Sequence, residues 1–201
     1  MIKRIGVFGG TFDPIHHGHL LLASELHHAL KLERVFFVPA RRPPHKTDQD
    51  ISNDHHRLAM VRLAVEGDPR FEVSLVEMER EGPSYSAETL EELDTSLPST
   101  TLVFLMGEDS LRDLPTWHEP ERIVAHALLG VAQRPGVDVD LTAVTDVLPF
   151  AAGRIELVST PEIAISSSDI RQRIAEDRPI TYHVPLAVER YIAQHGLYRV
   201  R

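Results

Sequence analysis

The sequence predicts an α/β fold, in which a doubly wound parallel sheet forms a single domain over residues 1–201. Short apolar segments of strand length alternate along the whole chain with longer segments of helical periodicity. No internal repeat, charge block or Gly/Pro-rich linker divides the chain. The 201 residues are 42% hydrophobic, which is enough for a core that needs no disulfide or structural metal.

The composition excludes several classes of protein. The chain has no Cys, so disulfide scaffolds, thiolate zinc sites and cysteine nucleophiles are excluded. Lys and Arg number 21 against 30 Asp and Glu, and a formal net charge of −9 disfavours a general nucleic-acid binder. No apolar run approaches the ~20 residues of a membrane span, and no signal peptide is evident. We therefore expect no nucleic-acid or membrane partner and a cytoplasmic location.

The first predicted unit is a strand, a glycine turn, a helix and a second strand. Ile2–Phe8 is an apolar run that stops at Gly9-Gly10. Apolar residues then recur at helical spacing within Gly18–Leu32, and Arg34–Val38 is the second strand. Such a unit is a right-handed crossover between two parallel strands.

A long loop and the remaining elements follow. Pro39–Asn53 holds three prolines and no periodicity, which predicts an exposed loop of a length that is often functional. The same periodicities and turn residues predict the other elements. They are a helix that begins after Ser52 or Asn53 and ends before Gly67, strands at Phe71–Met78, Thr101–Met106, Leu128–Ala132 and Ile155–Val158, and helices at Ser86–Asp94, Ser166–Glu176 and Pro185–His195.

The segment Gly9–His19 lies where the first strand passes into the first helix, at the edge where doubly wound sheets bind ligands. Gly9 and Gly10 would let the backbone approach a phosphate, and a helix N-terminus offers free N–H groups. His16 and His19 are three apart and share a helix face, while Gly18 has no side chain to block a ligand. The segment therefore predicts a phosphate site, with helix capping or a shared metal ion as the alternatives.

Ser166, Ser167 and Ser168 open a predicted helix, and Arg171 follows one turn later. Hydroxyls at this position cap a helix or bind phosphate, because they point the same way as the first N–H groups. Taken alone, the pattern leaves both roles open.

Together the two segments resemble the His-x-Gly-His and Ile-Ser-Ser-Thr-x-Ile-Arg motifs of the nucleotidyltransferase superfamily, with Ser168 where Thr is common. Further segments resemble the bacterial nicotinate-nucleotide adenylyltransferases, in the expected order, between Ile5 and Arg199. These segments are Pro43–Lys46, Pro83–Leu90, Gly107–Ser110, Pro115–Trp117 and Arg134–Gly136.

The resemblance implies a Rossmann-like nucleotidyltransferase fold and transfer of AMP from ATP to nicotinate mononucleotide. Mg²⁺ would bridge the phosphates, held mostly by substrate and water. The implied catalytic residues are His16, His19, Lys46 and Arg171. The resemblance also implies substrate-binding residues. Those for ATP and the phosphates are Gly9, Gly10 and Thr11 for phosphates, Ser166, Ser167 and Ser168 for the triphosphate, and Gly107, Asp109 and Arg134 around the adenosine or its phosphates. Those for the pyridine nucleotide are Trp117, Tyr85, Ser86 and His118, and His45 comes from the long loop.

Several alternatives stay open at this point. Trp117 is the only Trp and fits a core anchor as well as a stacking platform. Asp109 is explained by turn formation too, and His118 stands where the family commonly has Tyr. The chain could adenylylate nicotinamide mononucleotide or phosphopantetheine, act as a non-catalytic nucleotide sensor, or buffer metal through its 12 His. A homo-oligomer is left open.

Overall fold

Six apolar segments form one parallel sheet in a computed structural model that describes residues 3–44, 51–133 and 141–199. The strand order is β3-β2-β1-β4-β5-β6, and each neighbouring pair is parallel. This order is that of a Rossmann-like doubly wound sheet and confirms the predicted fold class. The strands are β1 Lys3–Gly10, β2 Arg34–Pro39, β3 Phe71–Val73, β4 Thr100–Gly107, β5 Ala127–Gln133 and β6 Ile155–Ser159.

Helices cover both faces of the sheet. Adjacent strand residues such as Val7 and Phe8 point to opposite faces and belong to two separate apolar clusters, as the period of a strand requires. Leu26 and Val188 pack in one cluster, and Leu90 packs in the other. The helices are α1 His17–Ala29, α2 Asp54–Val65, α3 Val76–Glu79, α4 Ser86–Ser96, α5 Glu108–Asp113, α6 Pro120–His126, α7 Leu141–Val147, α8 Ser167–Ala175 and α9 Leu186–His195.

Two predicted strand ends were wrong by two residues or more. The strand predicted at Phe71–Met78 ends at Val73: three residues pair with β2, and the chain then leaves the sheet and forms the short α3. The first strand was predicted to end at Phe8, yet β1 continues through Gly9-Gly10, which pair with the end of β2. The pairing of β1 thus runs to the last residue of β2, whereas β3 leaves the sheet before β2 ends.

The sheet brings two strand ends together at its centre. From β1 the chain proceeds towards β2 and β3, whereas β4 lies on the other side of β1 and begins the opposite progression. Parallel sheets bind ligands at the carboxyl ends of the strands where the order reverses. Here those ends are Gly10 and Gly107. Across the described ranges, no helix is long and apolar enough to cross a membrane.

Candidate functional site

Two cavities open at the carboxyl edge of the sheet. The first, called here the Trp117 cavity, has a volume of about 180 Å³. The second, the Ser166 cavity, has a volume of about 560 Å³. The residues that define the Trp117 cavity include Gly9, Thr11, Ala40, Tyr85, Ser86 and Trp117, and those that define the Ser166 cavity include Gly18, Gly107, Asp109, Thr160, Ile165 and Ser166.

The rings of His16 and His19 form a stacked pair. Their ring centroids are 3.7 Å apart with an interplanar angle of 24°. The backbone N–H of His16 donates to Nδ1 of His19 at 3.2 Å, so a neutral His19 ring carries its proton on Nε2. Phe8 and Phe12 flank the His19 ring, with centroids 6.0 and 5.1 Å from it. The pair is therefore oriented by its surroundings, and the donor of a neutral His19 ring is Nε2–H.

Gly18 and Gly10 leave space for the aromatic rings around the histidine pair, a role that the sequence did not reveal. A Cβ at Gly18 would lie 3.0 Å from Nδ1 of His16, so the glycine makes room for the ring of His16 itself. A Cβ at Gly10 would lie 2.8 Å from the ring of Phe12, which packs against His19. Both glycines thus permit the packing of the histidine pair.

Burial controls the charge of His16, whose side chain is almost fully enclosed. Loss of solvation lowers its pKa to about 4, and the neighbouring charge of His17 acts in the same direction. His16 is consequently neutral at pH 7 and can act as a hydrogen-bond donor or acceptor.

The lowered pKa of His16 makes folding stability depend on pH. In the window between about 6.5 and about 4, the unfolded chain binds a proton at this residue that the folded chain does not, so stability falls as the pH falls. From pH 7.5 to pH 5 this residue should cost about 2 kcal/mol of unfolding free energy. Urea titrations of the wild type and His16→Gln at both pH values measure it. An equal loss in both proteins would contradict the assignment.

The Ser166–Arg171 segment closes over the turn that follows β1. Ser167 Oγ donates to the carbonyl of Pro14 at 2.9 Å, and Arg171 Nη1 donates to the carbonyl of Asp13 at 2.7 Å. Ser166 Oγ accepts from the Asp169 N–H and caps α8, while it also lines the Ser166 cavity. Capping and a place in the cavity are thus compatible here. Ser168 is exposed at the opening of α8.

The Trp117 cavity gathers the predicted ring-binding residues. Trp117 is half-buried and meets Phe104 edge-on, with centroids 6.1 Å apart. The rings of Tyr85 and His118 lie 4.0 Å apart, and Ser86 begins α4 on the same wall. Trp117 therefore packs against the core and also lines a cavity, while its role as a stacking platform stays a prediction.

A buried carboxylate, Glu77, also lines the Trp117 cavity. Thr89 Oγ1 donates to Glu77 Oε1 at 2.7 Å, and Arg80 Nη2 donates to Thr89 Oγ1 at 3.0 Å. Loss of solvation raises the pKa of Glu77, partly offset by the Thr89 bond.

The remaining predicted residues divide into two groups. Gly107 and Asp109 line the Ser166 cavity, and Asp109 is exposed and pairs with Arg112 at 3.2 Å. His45, Lys46 and Arg134 lie outside the described residues.

Sequence reasoning missed three residues that lie beneath the site and bond to its backbone or to one another: Arg57, Asp13 and Tyr198. Arg57 and Asp13 are 0% and 1% exposed, and Tyr198 Oη donates to Asp13 Oδ1 at 2.6 Å. A signal for Arg57 was present, because it continues the helical spacing of Val61 and Val65 and so places a charge on an apolar stripe.

Carboxylates suited to a hard cation border the Ser166 cavity, among them Glu108, Asp109 and Glu162. Within residues 3–44, 51–133 and 141–199, no three His, Cys, Asp or Glu side chains are grouped so as to hold a metal ion.

Comparison with known proteins gives consistent results. The family model described as cytidylyltransferase-like matches residues 7–173. A relative from Thermomicrobium roseum is 56% identical over 198 residues, which cover 98% of this chain and 92% of the relative. A relative from Thermus thermophilus is 47% identical over 196 residues, which cover 98% of this chain and the full length of the relative. Both carry the name "Probable nicotinate-nucleotide adenylyltransferase".

A solved structure has the same fold. It is titled Plasmodium falciparum nicotinic acid mononucleotide adenylyltransferase complexed with NaAD, and it superposes with a TM-score of 0.78. The match covers 98% of this chain and 97% of that chain at 21% sequence identity, and so supports the fold alone.

Proposed function

The chain belongs to the cytidylyltransferase-like family and, within it, to the nicotinate-nucleotide adenylyltransferases, and we propose that it transfers AMP from ATP to nicotinate mononucleotide. The observation that carries this proposal is that the Gly9–His19 segment lines two cavities of different character and bonds directly to the Ser166–Arg171 segment. The Trp117 cavity is aromatic and suits a pyridine ring, and the larger Ser166 cavity suits ATP. The product, nicotinate adenine dinucleotide, lies on the path to NAD.

The reaction needs no covalent enzyme intermediate. An oxygen of the acceptor phosphate forms a bond to the α-phosphorus of ATP, and the bond from that phosphorus to the β-phosphate oxygen breaks, which releases pyrophosphate. The attacking phosphate is already ionised at neutral pH, so no general base is required. Catalysis is then positioning and stabilisation of the charge that develops on the transferred group.

The described residues supply these two functions. His19 Nε2–H, oriented by the bond at Nδ1, donates to the α-phosphate, together with the neutral ring of His16. Arg171 supplies positive charge to the leaving pyrophosphate, and Ser166 lies on the same side. From the sequence resemblance, Lys46 would add a second cation there, with His45 beside it and Arg134 near the adenosine.

Mg²⁺ is the proposed cation. When bound, it would supply positive charge that neutralises the phosphates. Asp109, at the Ser166 cavity, is the carboxylate we propose for its outer contacts. A cytoplasmic location remains a prediction from the sequence.

Pyrophosphate release in the presence of ATP and Mg²⁺ tests the function. Nicotinate mononucleotide, nicotinamide mononucleotide and phosphopantetheine are compared as acceptors at equal concentration. We expect the highest kcat/KM with nicotinate mononucleotide. A higher kcat/KM with another acceptor would replace the proposed substrate, and ATP binding without release for any acceptor would support the sensor alternative.

Trp117→Ala tests the assignment of the acceptor to the Trp117 cavity. Loss of a stacking face should raise the KM for nicotinate mononucleotide by up to about tenfold and leave the KM for ATP near the wild-type value. Trp117→Phe keeps an aromatic face and should restore most of the affinity. Equal increases in both KM values would place the acceptor elsewhere.

A further inference from the structure

Arg57 is a buried charge that the proposed mechanism does not use. It lies in the first half of α2 and is 0% exposed. Its guanidinium donates four hydrogen bonds to backbone carbonyls: Nε to Ser52 at 3.0 Å, Nη1 to Thr11 at 2.9 Å and Ala40 at 2.5 Å, and Nη2 to Arg41 at 3.0 Å.

The four acceptors belong to segments that are far apart in the sequence but meet at the site. Thr11 directly follows β1, Ala40 directly follows β2, and Ser52 precedes α2. Thr11 and Ala40 both line the Trp117 cavity. One rigid group therefore joins two walls of this cavity.

A requirement for core packing does not account for an arginine here. A buried guanidinium loses its hydration, and an apolar side chain of similar size often fills such a space at equal or lower cost. What Arg57 adds is a planar set of donors that reaches carbonyls on separate segments. Its charge is balanced by Asp13, which is 1% exposed and accepts from Tyr198 Oη at 2.6 Å and from the Ser52 N–H at 3.2 Å.

We propose that Arg57 is a positioning residue: its guanidinium holds the Thr11 and Ala40 walls at the separation that fits nicotinate mononucleotide in the Trp117 cavity. This inference rests on the proposed function. Lys at position 57 would keep the positive charge beside Asp13. Its ammonium is a compact point charge on a flexible stem, so it cannot make the same set of four bonds.

Steady-state kinetics of Arg57→Lys tests the proposal. We expect the KM for nicotinate mononucleotide to rise about tenfold, the equivalent of one lost hydrogen bond to a charged group. The KM for ATP should stay near the wild-type value, because other segments line the Ser166 cavity. A rise that is equal for both substrates, or no rise, would overturn the proposal.

Val65→Ala is the matched control for lost stability. Val65 lies on the last turn of the same helix and is 7% exposed, so its truncation destabilises α2 without touching the cavity wall. We expect Val65→Ala to lower the melting temperature and leave both KM values unchanged. If it raises the KM for nicotinate mononucleotide as much as Arg57→Lys does, Arg57 acts only through stability.

Tyr198→Phe keeps the test decisive if Arg57→Lys does not fold. It removes the hydroxyl that donates to Asp13 and retains the ring. A rise in the KM for nicotinate mononucleotide that is smaller than the rise expected for Arg57→Lys supports the positioning role of Arg57 and its partner Asp13. An unchanged KM contradicts that role. Calorimetric Kd values for nicotinate mononucleotide, compared between wild type and variants, show the same effect even if the wild type proves inactive. Failure of the proposed function would thus be distinguished from failure of the Arg57 proposal.

Discussion

His19→Ala is expected to lower kcat/KM for pyrophosphate release by about 10²–10³, because it removes a donor directed at the charge that develops on the α-phosphate. The ring is well placed for this role. Its Nδ1 accepts from the His16 N–H at 3.2 Å, and its stacking on the His16 ring fixes its orientation. The loss should fall mainly on kcat, since the donor bonds most strongly in the transition state.

Two variants control for this prediction. His19→Gln places an amide donor near the position of Nε2 and should recover part of kcat. His28→Ala removes an exposed imidazole from the same helix and should retain full activity. Circular dichroism establishes that each variant is folded. Turnover in folded His19→Ala close to the wild-type rate would exclude the donor role.

Arg171→Ala is expected to raise the KM for ATP by about 10–10²-fold, as for a lost hydrogen bond to a charged group. The residue connects two parts of the chain that are 158 positions apart, through its bond to the Asp13 carbonyl at 2.7 Å. The substitution thus removes positive charge near the proposed triphosphate site and a link to the turn after β1.

Arg173→Ala is the matched control on the same helix. Arg173 pairs with Asp169 at 2.9 Å, within α8. Its loss should weaken the helix locally and leave the KM for ATP unchanged. Arg171→Lys, which keeps the charge, should give an intermediate KM. If both alanine variants raise the KM equally, destabilisation of α8 is the cause, and a triphosphate role for Arg171 is contradicted.

Much of the fold could be predicted because its signals are local. Period-two and helical periodicities are properties of neighbouring residues, and their alternation is sufficient to indicate a doubly wound sheet. Where tertiary pairing outweighed the local pattern, prediction failed. Phe71–Met78 alternates as a strand does, yet only Phe71–Val73 pair with β2, and the chain forms a short helix from Val76.

In the site, too, local patterns could be predicted and contacts between distant segments could not. The Gly9–His19 and Ser166–Arg171 segments were recognised from their residues, and the fold brings them into direct contact through Ser167 and Arg171. Arg57 was not recognised as part of the site, because its carbonyl partners lie on other segments. A hydrogen-bond partner that is distant in sequence leaves no periodic trace.

The amino-acid sequence by itself determined the strand and helix alternation and the glycine-histidine segment at the end of the first strand. Only the tertiary structure decided the environment of those groups. Enclosure lowers the pKa of His16 to about 4, and Gly18 proves to accommodate the ring of His16. Periodicity arises from neighbours along the chain, whereas solvation and hydrogen bonding arise from neighbours in space, which exist only after the sheet and its helices have packed.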